Sequence, residues 1–243
     1  MQTTSPTDPR LRDFTSVAFE VFVVAFTALP FFALAYFYPA LPERVPVFLN
    51  LGGGVATWAA KGAASVFRVP LMALDTQLIC LLAKYGTVRS EAAAPPAADP
   101  ARAALRAKRL RLNAGVWDWL RFLVAVKMCA SSLDTVFLGV GRLKPFAGPA
   151  YAVAAAAALL GVAGGIFYVR RTLALGREAR REFGGGEARA PVDARRVYGG
   201  FLYFDPSDPA PFVRGYLLNL GNRWAWALVA CVAAYPLLVF LPA

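Results

Sequence analysis

The sequence predicts an all-α, polytopic integral membrane protein with five transmembrane helices and a cytoplasmic juxtamembrane connector. Three observations predict it. Five apolar stretches read as spans, the first of them long enough to cross a hydrocarbon core of about 30 Å. Charged residues make up 17% of the chain against 58% hydrophobic ones, with mean hydropathy +0.50, whereas soluble domains carry about a quarter charged residues. The basic residues gather on one side of the apolar stretches, as the positive-inside rule requires.

A polar tail to Asp13, with Arg10 and Arg12, precedes the first span, Phe14 to Tyr38. Ala33-Leu34-Ala35 resembles a signal-peptidase site, but Glu20 and Pro30 interrupt an apolar run longer than a signal core, so an uncleaved anchor is expected. Tyr38 to Gly62 reads as a loop rich in proline and glycine. Pro42 and Pro46 stiffen it, and Phe48, Leu49, Leu51 and Trp58 are too apolar for a solvated tether. It is therefore expected to pack back on the helices.

The second span, Phe67 to Leu82, has Arg68 and Lys84 at its edges and Asp75 near its middle. Gly86 to Asn113 reads as a mobile Ala/Pro linker running into a basic helix, Arg102 to Arg111. The third span, Val116 to Val140, opens with Trp117 and Trp119. A short turn leads to the fourth, Tyr151 to Val169, where Gly161 and Gly165 have the spacing that lets helices approach closely. Arg170 and Arg171 end it, followed by a second basic helix and a glycine break.

Tyr198 to Trp226 is the most individual stretch. An aromatic run (Phe201, Tyr203, Phe204) enters Asp205-Pro206-Ser207-Asp208-Pro209, where prolines and aspartates favour turns. Arg223, Trp224 and Trp226 then form an interfacial anchor for the fifth span, Trp224 to Leu241. The domain organisation expected is a two-helix N-terminal part with its external loop (1–85), a linker and basic helix (86–115), a central hairpin (116–170), and the connector with the last helix (171–243).

With the N-terminus inside, nineteen of the 26 basic residues fall on the cytoplasmic side and five outside. The bacterial cytoplasmic (inner) membrane, with the C-terminus outside, is the expected location. The net charge of +11 is accounted for by this asymmetry, so nucleic acid is not an expected partner. The basic segments Arg102–Arg111 and Arg177–Arg181 suit the lipid bilayer and its anionic headgroups. There are no histidines, which excludes histidine-based triads and metal sites. Cys80, Cys129 and Cys231 each lie in an apolar span and read as small buried hydrophobes.

Ionisable residues inside a membrane are functional candidates by default. Lys127, Ser131 and Asp134 lie at i, i+4 and i+7 and share one face of the third helix. An antiparallel pair would set Asp75 and Lys127 at similar depth, giving either a structural ion pair or a proton or ligand site. Asp118 and Arg121, one turn apart, are expected to pair with each other, and Glu20 to snorkel to the interface. Asp205 and Asp208 read as turn formers, with a divalent cation as the lesser reading. No cofactor or metal is expected.

The loop residues Leu41, Pro42, Arg44, Val45, Pro46, Asn50, Gly53, Trp58 and Lys61 resemble a small domain at the N-terminus of SdpI-type bacteriocin immunity proteins. The chain departs from that pattern at Phe48, Leu49 and Ala56, where histidine, phenylalanine and aspartate are usual. Tyr203, Pro206, Asp208, Pro209, Phe212, Val213, Gly215, Asn219, Gly221, Asn222, Trp224, Ala225 and Trp226 resemble a second uncharacterised domain often found with the first. The resemblance implies a multi-helix bacterial membrane protein without catalytic residues, acting in toxin immunity or envelope-signal sensing. Candidate binding residues are then Asn50 and Trp58 outside, the Asp75, Lys127, Ser131 and Asp134 cluster within, and Asp205, Asp208 and Asn219 inside. A peptide or protein ligand and a second copy in a homo-oligomer are the expected protein partners. The alternative is a small transporter or proton-coupled protein built on the intramembrane Asp/Lys cluster.

Overall fold

Five long helices dominate the computed structural model, which describes residues 11–49, 55–92, 99–139, 149–183, 197–198, 202–208, 212–213 and 217–240. They are α1 (Val17–Phe37), α2 (Ala63–Ala92), α3 (Pro100–Gly139), α4 (Pro149–Phe183) and α5 (Arg223–Phe240). Three stretches are helical, long and apolar enough to cross a membrane: Val17–Ala40, Ala63–Ala92 and Ala155–Glu182. The apolar run of α5, Arg223–Leu238, is shorter. α3 is not among them, because Asp118, Arg121, Lys127 and Asp134 interrupt its apolar half.

The helices are longer than the expected spans. Residues read as linker, Gly86 to Ala92, are the last turns of α2, and the basic segment Arg102–Arg111 continues unbroken into α3. Asp99 starts α3, its carboxylate accepting from Ala101 N–H at 2.9 Å ahead of Pro100 in the first helical position. At 1.5 Å per residue the 40 residues of α3 reach about 60 Å, twice a hydrocarbon core.

The chain divides into two units: 1–16, 80–118 and 165–230; and 17–79, 119–164 and 231–243. In the second unit, the expected external loop is a β-hairpin. β1 (Arg44–Leu49) pairs antiparallel with β2 (Val55–Ala60), with a register shift after Pro46 that accommodates the proline. β-branched residues on these strands suit a half-buried pleated surface. Val45 packs with Leu34 of α1, Leu41, Val66 of α2 and Val136 of α3, flanked by Phe37, Tyr38 and Phe67. Lys61 fastens the hairpin, donating to Leu41 O at 2.8 Å with its ammonium over the Tyr38 ring. The loop does pack back, but Trp58, expected to help bury it, is 48% exposed.

α1 buries one stripe (Val23, Thr27, Pro30, Leu34) and exposes apolar residues elsewhere, among them Val17, Phe32 and Tyr36. A helix apolar on both its packed and its open faces fits a lipid surround. α4 meets α3 at glycines. Leu123 lies 3.8 Å from where a Cβ on Gly161 would sit, and the Trp119 indole fills the space beside Gly164. Gly165, the second residue of the expected motif, faces open space.

In the first unit, Arg106 pairs with Glu91 at 2.7 Å and Lys108 with Glu178 at 2.6 Å. The hydrogen bond to Glu178, with its charge, raises the Lys108 pKa. That contribution is therefore present below the ordinary lysine range and lost as pH rises through the raised value. Four short strands make a sheet of order β3-β4-β6-β5: β3 (Val197–Tyr198), β4 (Leu202–Tyr203), β5 (Phe212–Val213) and β6 (Leu217–Asn219). β4 and β6 are parallel and the other pairs antiparallel. The sheet docks on α2: the Phe212 ring occupies the space a Cβ on Gly86 would take, and Phe212 N–H donates to Ser90 Oγ at 3.0 Å.

Gly164→Val forces Trp119 out of its seat, whereas Gly165→Val meets nothing. The expected outcome is a thermal unfolding midpoint lowered by several degrees in the first variant and unchanged in the second, read by tryptophan fluorescence in detergent.

Candidate functional site

Charges on apolar helices need partners, and the structure supplies them across helices. Lys84 of α2 has 0% side-chain exposure. Its ammonium donates to both carboxylate oxygens of Asp118 on α3, at 2.7 and 2.8 Å, and to Phe14 O at 2.9 Å. Thr15 Oγ1 is 3.3 Å away. The Phe14 carbonyl ends a single 3-10 turn, Leu11–Phe14, just before α1, so one cation draws α2, α3 and that turn together.

In the other unit, Arg121 of α3 grips Glu20 of α1 with two parallel hydrogen bonds of 2.6 and 2.7 Å, the bidentate geometry in which guanidinium–carboxylate pairs are strongest. Gln77 of α2 closes the site, accepting from Arg121 Nε at 3.2 Å and donating to the Arg121 carbonyl at 2.8 Å. The expected local pair of Asp118 with Arg121 is thus corrected. One turn apart on the same helix, each is better satisfied by an opposite charge on a neighbouring helix. Nor does Glu20 snorkel, and Lys84 is an interior residue where the sequence suggested an edge.

The expected Asp75–Lys127 pairing is also overturned. Gln77 packs at the level of Arg121, which sets Asp75 opposite about residue 123, a turn short of Lys127. Direction separates them further. α3 buries Ala114, Arg121, Ala125, Cys129, Ser132 and Val136, and Lys127 lies two residues, about 200° round the helix, from both Ala125 and Cys129. Lys127 is exposed, while Asp75 is buried, its Oδ2 without a hydrogen-bond partner. Ser131 is half-buried and Asp134 buried. The i, i+4, i+7 face therefore does not act as one cluster.

In the sheet, Asn219 is 0% exposed and uses its whole amide. Its Oδ1 accepts from Asp205 N–H and Gly221 N–H at 3.0 Å, and its Nδ2 donates to Asp205 O at 3.0 Å and Asp208 O at 3.1 Å. Asp205 accepts from Ser207 N–H and Oγ and from the Tyr203 hydroxyl. Gly221 lies against the Asp205–Pro206 peptide, leaving no room for a Cβ. This trio of Asp205, Asp208 and Asn219 is a structural knot: the Asp205 carboxylate and the Asn219 amide are committed to the turn. Asn50 lies outside the described residues, and Trp58 is displayed on β2.

Comparison of the chain with protein families, curated proteins and solved structures found no match.

Lys84→Met removes the buried cation that meets the Asp118 carboxylate, a change that costs about 3–5 kcal/mol in a buried site; the partial exposure of Asp118 places it at the lower end. Lys84→Met with Asp118→Asn is expected to be milder than Lys84→Met alone in urea or thermal titration. Asn219→Ala removes four hydrogen bonds at once and is expected to cost about 2 kcal/mol or more. Limited proteolysis near Asp208 reads the loss.

Proposed function

We propose that the chain is a non-enzymatic protein of the bacterial cytoplasmic membrane that senses or neutralises an envelope-active peptide. All five long helices span the membrane in this reading, N-terminus inside and C-terminus outside. The ion pairs support counting α3 as a span: Asp118 and Arg121 are matched by Lys84 and Glu20, which lowers the cost of carrying them in lipid. The basic turns of α3 and α4 then lie against anionic headgroups on the cytoplasmic face.

The observation that carries the reading is the continuity of α2. Its first turn packs Val66 against the hairpin residue Val45, and its last turns hold Phe212 through Gly86 and Ser90. In this reading the hairpin is external and the sheet cytoplasmic, each held by a part of the 30-residue α2. The hairpin and sheet segments are those whose residues resemble the immunity-protein domains, and the exposed Trp58 offers an apolar contact for a peptide.

Expression in a bacterium sensitive to envelope-active peptides is expected to raise the inhibitory concentration of at least one of a panel several-fold. Trp58→Ala, at the hairpin, and Gly86→Leu, which unseats the sheet, each abolish that protection with the protein still in the membrane fraction. Unchanged sensitivity to every peptide, with the protein inserted, defeats the reading. A reporter fused at Ala243 that is active only in the cytoplasm defeats the topology.

A further inference from the structure

Among the described residues Asp75 is, with Asp134, one of two buried carboxylates of its unit, and it is the one with an oxygen closed off from any hydrogen-bond partner. Its side chain is on α2 with 8% exposure, and its Oδ2 is sealed without a hydrogen-bond partner. Among the described residues no salt bridge reaches it: Arg121 of α3 is held by Glu20 of α1 and by Gln77, Lys127 of α3 is exposed, and the buried Arg68 lies two turns earlier on α2. From α5 the titratable group within its field is the Cys231 thiol, which carries no positive charge. On α1 the buried polar residue is Thr27, whose hydroxyl also lacks a partner. An isolated carboxylate in such surroundings is far costlier as an anion than as an acid.

We propose that Asp75 is a proton-binding site within the helix interior, occupied at neutral pH. The proton is the ligand: it converts a group with no counter-ion into a neutral one that its buried position on α2 tolerates. Losing it leaves an uncompensated charge at a buried position of α2, which disfavours the packing around it. The proposal rests on the membrane placement of α2 and is independent of any peptide-binding role.

The test is infrared difference spectroscopy of the full chain in lipid nanodiscs at pH 7. A protonated-carboxyl C=O band is expected in the wild type, lost in Asp75→Asn and retained in Lys127→Met and Asp134→Asn. Should Asp75→Asn fail to give a monodisperse protein, dicyclohexylcarbodiimide labelling of the wild type decides. Mass spectrometry then finds the adduct on Asp75 in at least tenfold excess over Asp118 and Glu20. Absence of the band in the wild type, its loss in Asp134→Asn instead, or an unlabelled Asp75 overturns the proposal.

Discussion

A buried ammonium leaves little freedom to what surrounds it. Lys84 has no exposed side-chain surface, so its charge must be met inside the protein, and an orphaned partner would cost several kcal/mol. Asp118 and the Phe14 carbonyl meet it. Satisfying that one cation ties α2 to α3 and to the turn that leads into α1. The same logic operates in the other unit, where Arg121 must be met by Glu20 and Gln77. Apolar packing alone is non-directional and weakly specific between helices in lipid. These two polar contacts supply what it lacks, namely a choice of neighbour and of height along the helix.

Around these contacts the close packing is made by glycine and by aromatic rings. Trp119 beside Gly164, the Tyr168 hydroxyl on the Gly115 carbonyl at 2.9 Å, and Phe212 beside Gly86 all place a large ring where the facing helix has no side chain. The ring fills the space, so the glycine is required for volume and not for an unusual backbone. Elsewhere α4 is open along its apolar face, which a lipid surround tolerates.

The two polar outposts of the chain are built differently. The hairpin depends on apolar burial at Val45 and on the Lys61 ammonium capturing backbone carbonyls. The sheet depends on a single amide, Asn219, because strands of two or three residues cannot hold together by ladder bonds alone. Asp205 and Asp208 serve that amide. Both do so through their backbone, and the Asp205 carboxylate is engaged by Ser207 and Tyr203.

Much of the fold was legible in the sequence for a physical reason. Helices follow from local periodicity and length, and spans of apolar residues, the turn at Asp205–Asp208 and the basic ends of α3 and α4 are local properties of the chain. The hairpin was harder to see, since its two short strands read equally well as an apolar loop until paired. The pairing of charges was not legible at all. Asp118 and Arg121 are neighbours in sequence, and Asp75 and Lys127 match in approximate depth. Which way each points depends on how the helices are rotated about their axes, and a shift of two residues turns a side chain by about 200°. The sequence by itself determined that this protein is a set of apolar helices carrying a few costly charges. Tertiary packing alone decided which charges meet, leaving Lys84 and Arg121 matched and Asp75 without an opposite charge, because rotation and register are set by contacts between segments far apart in the chain.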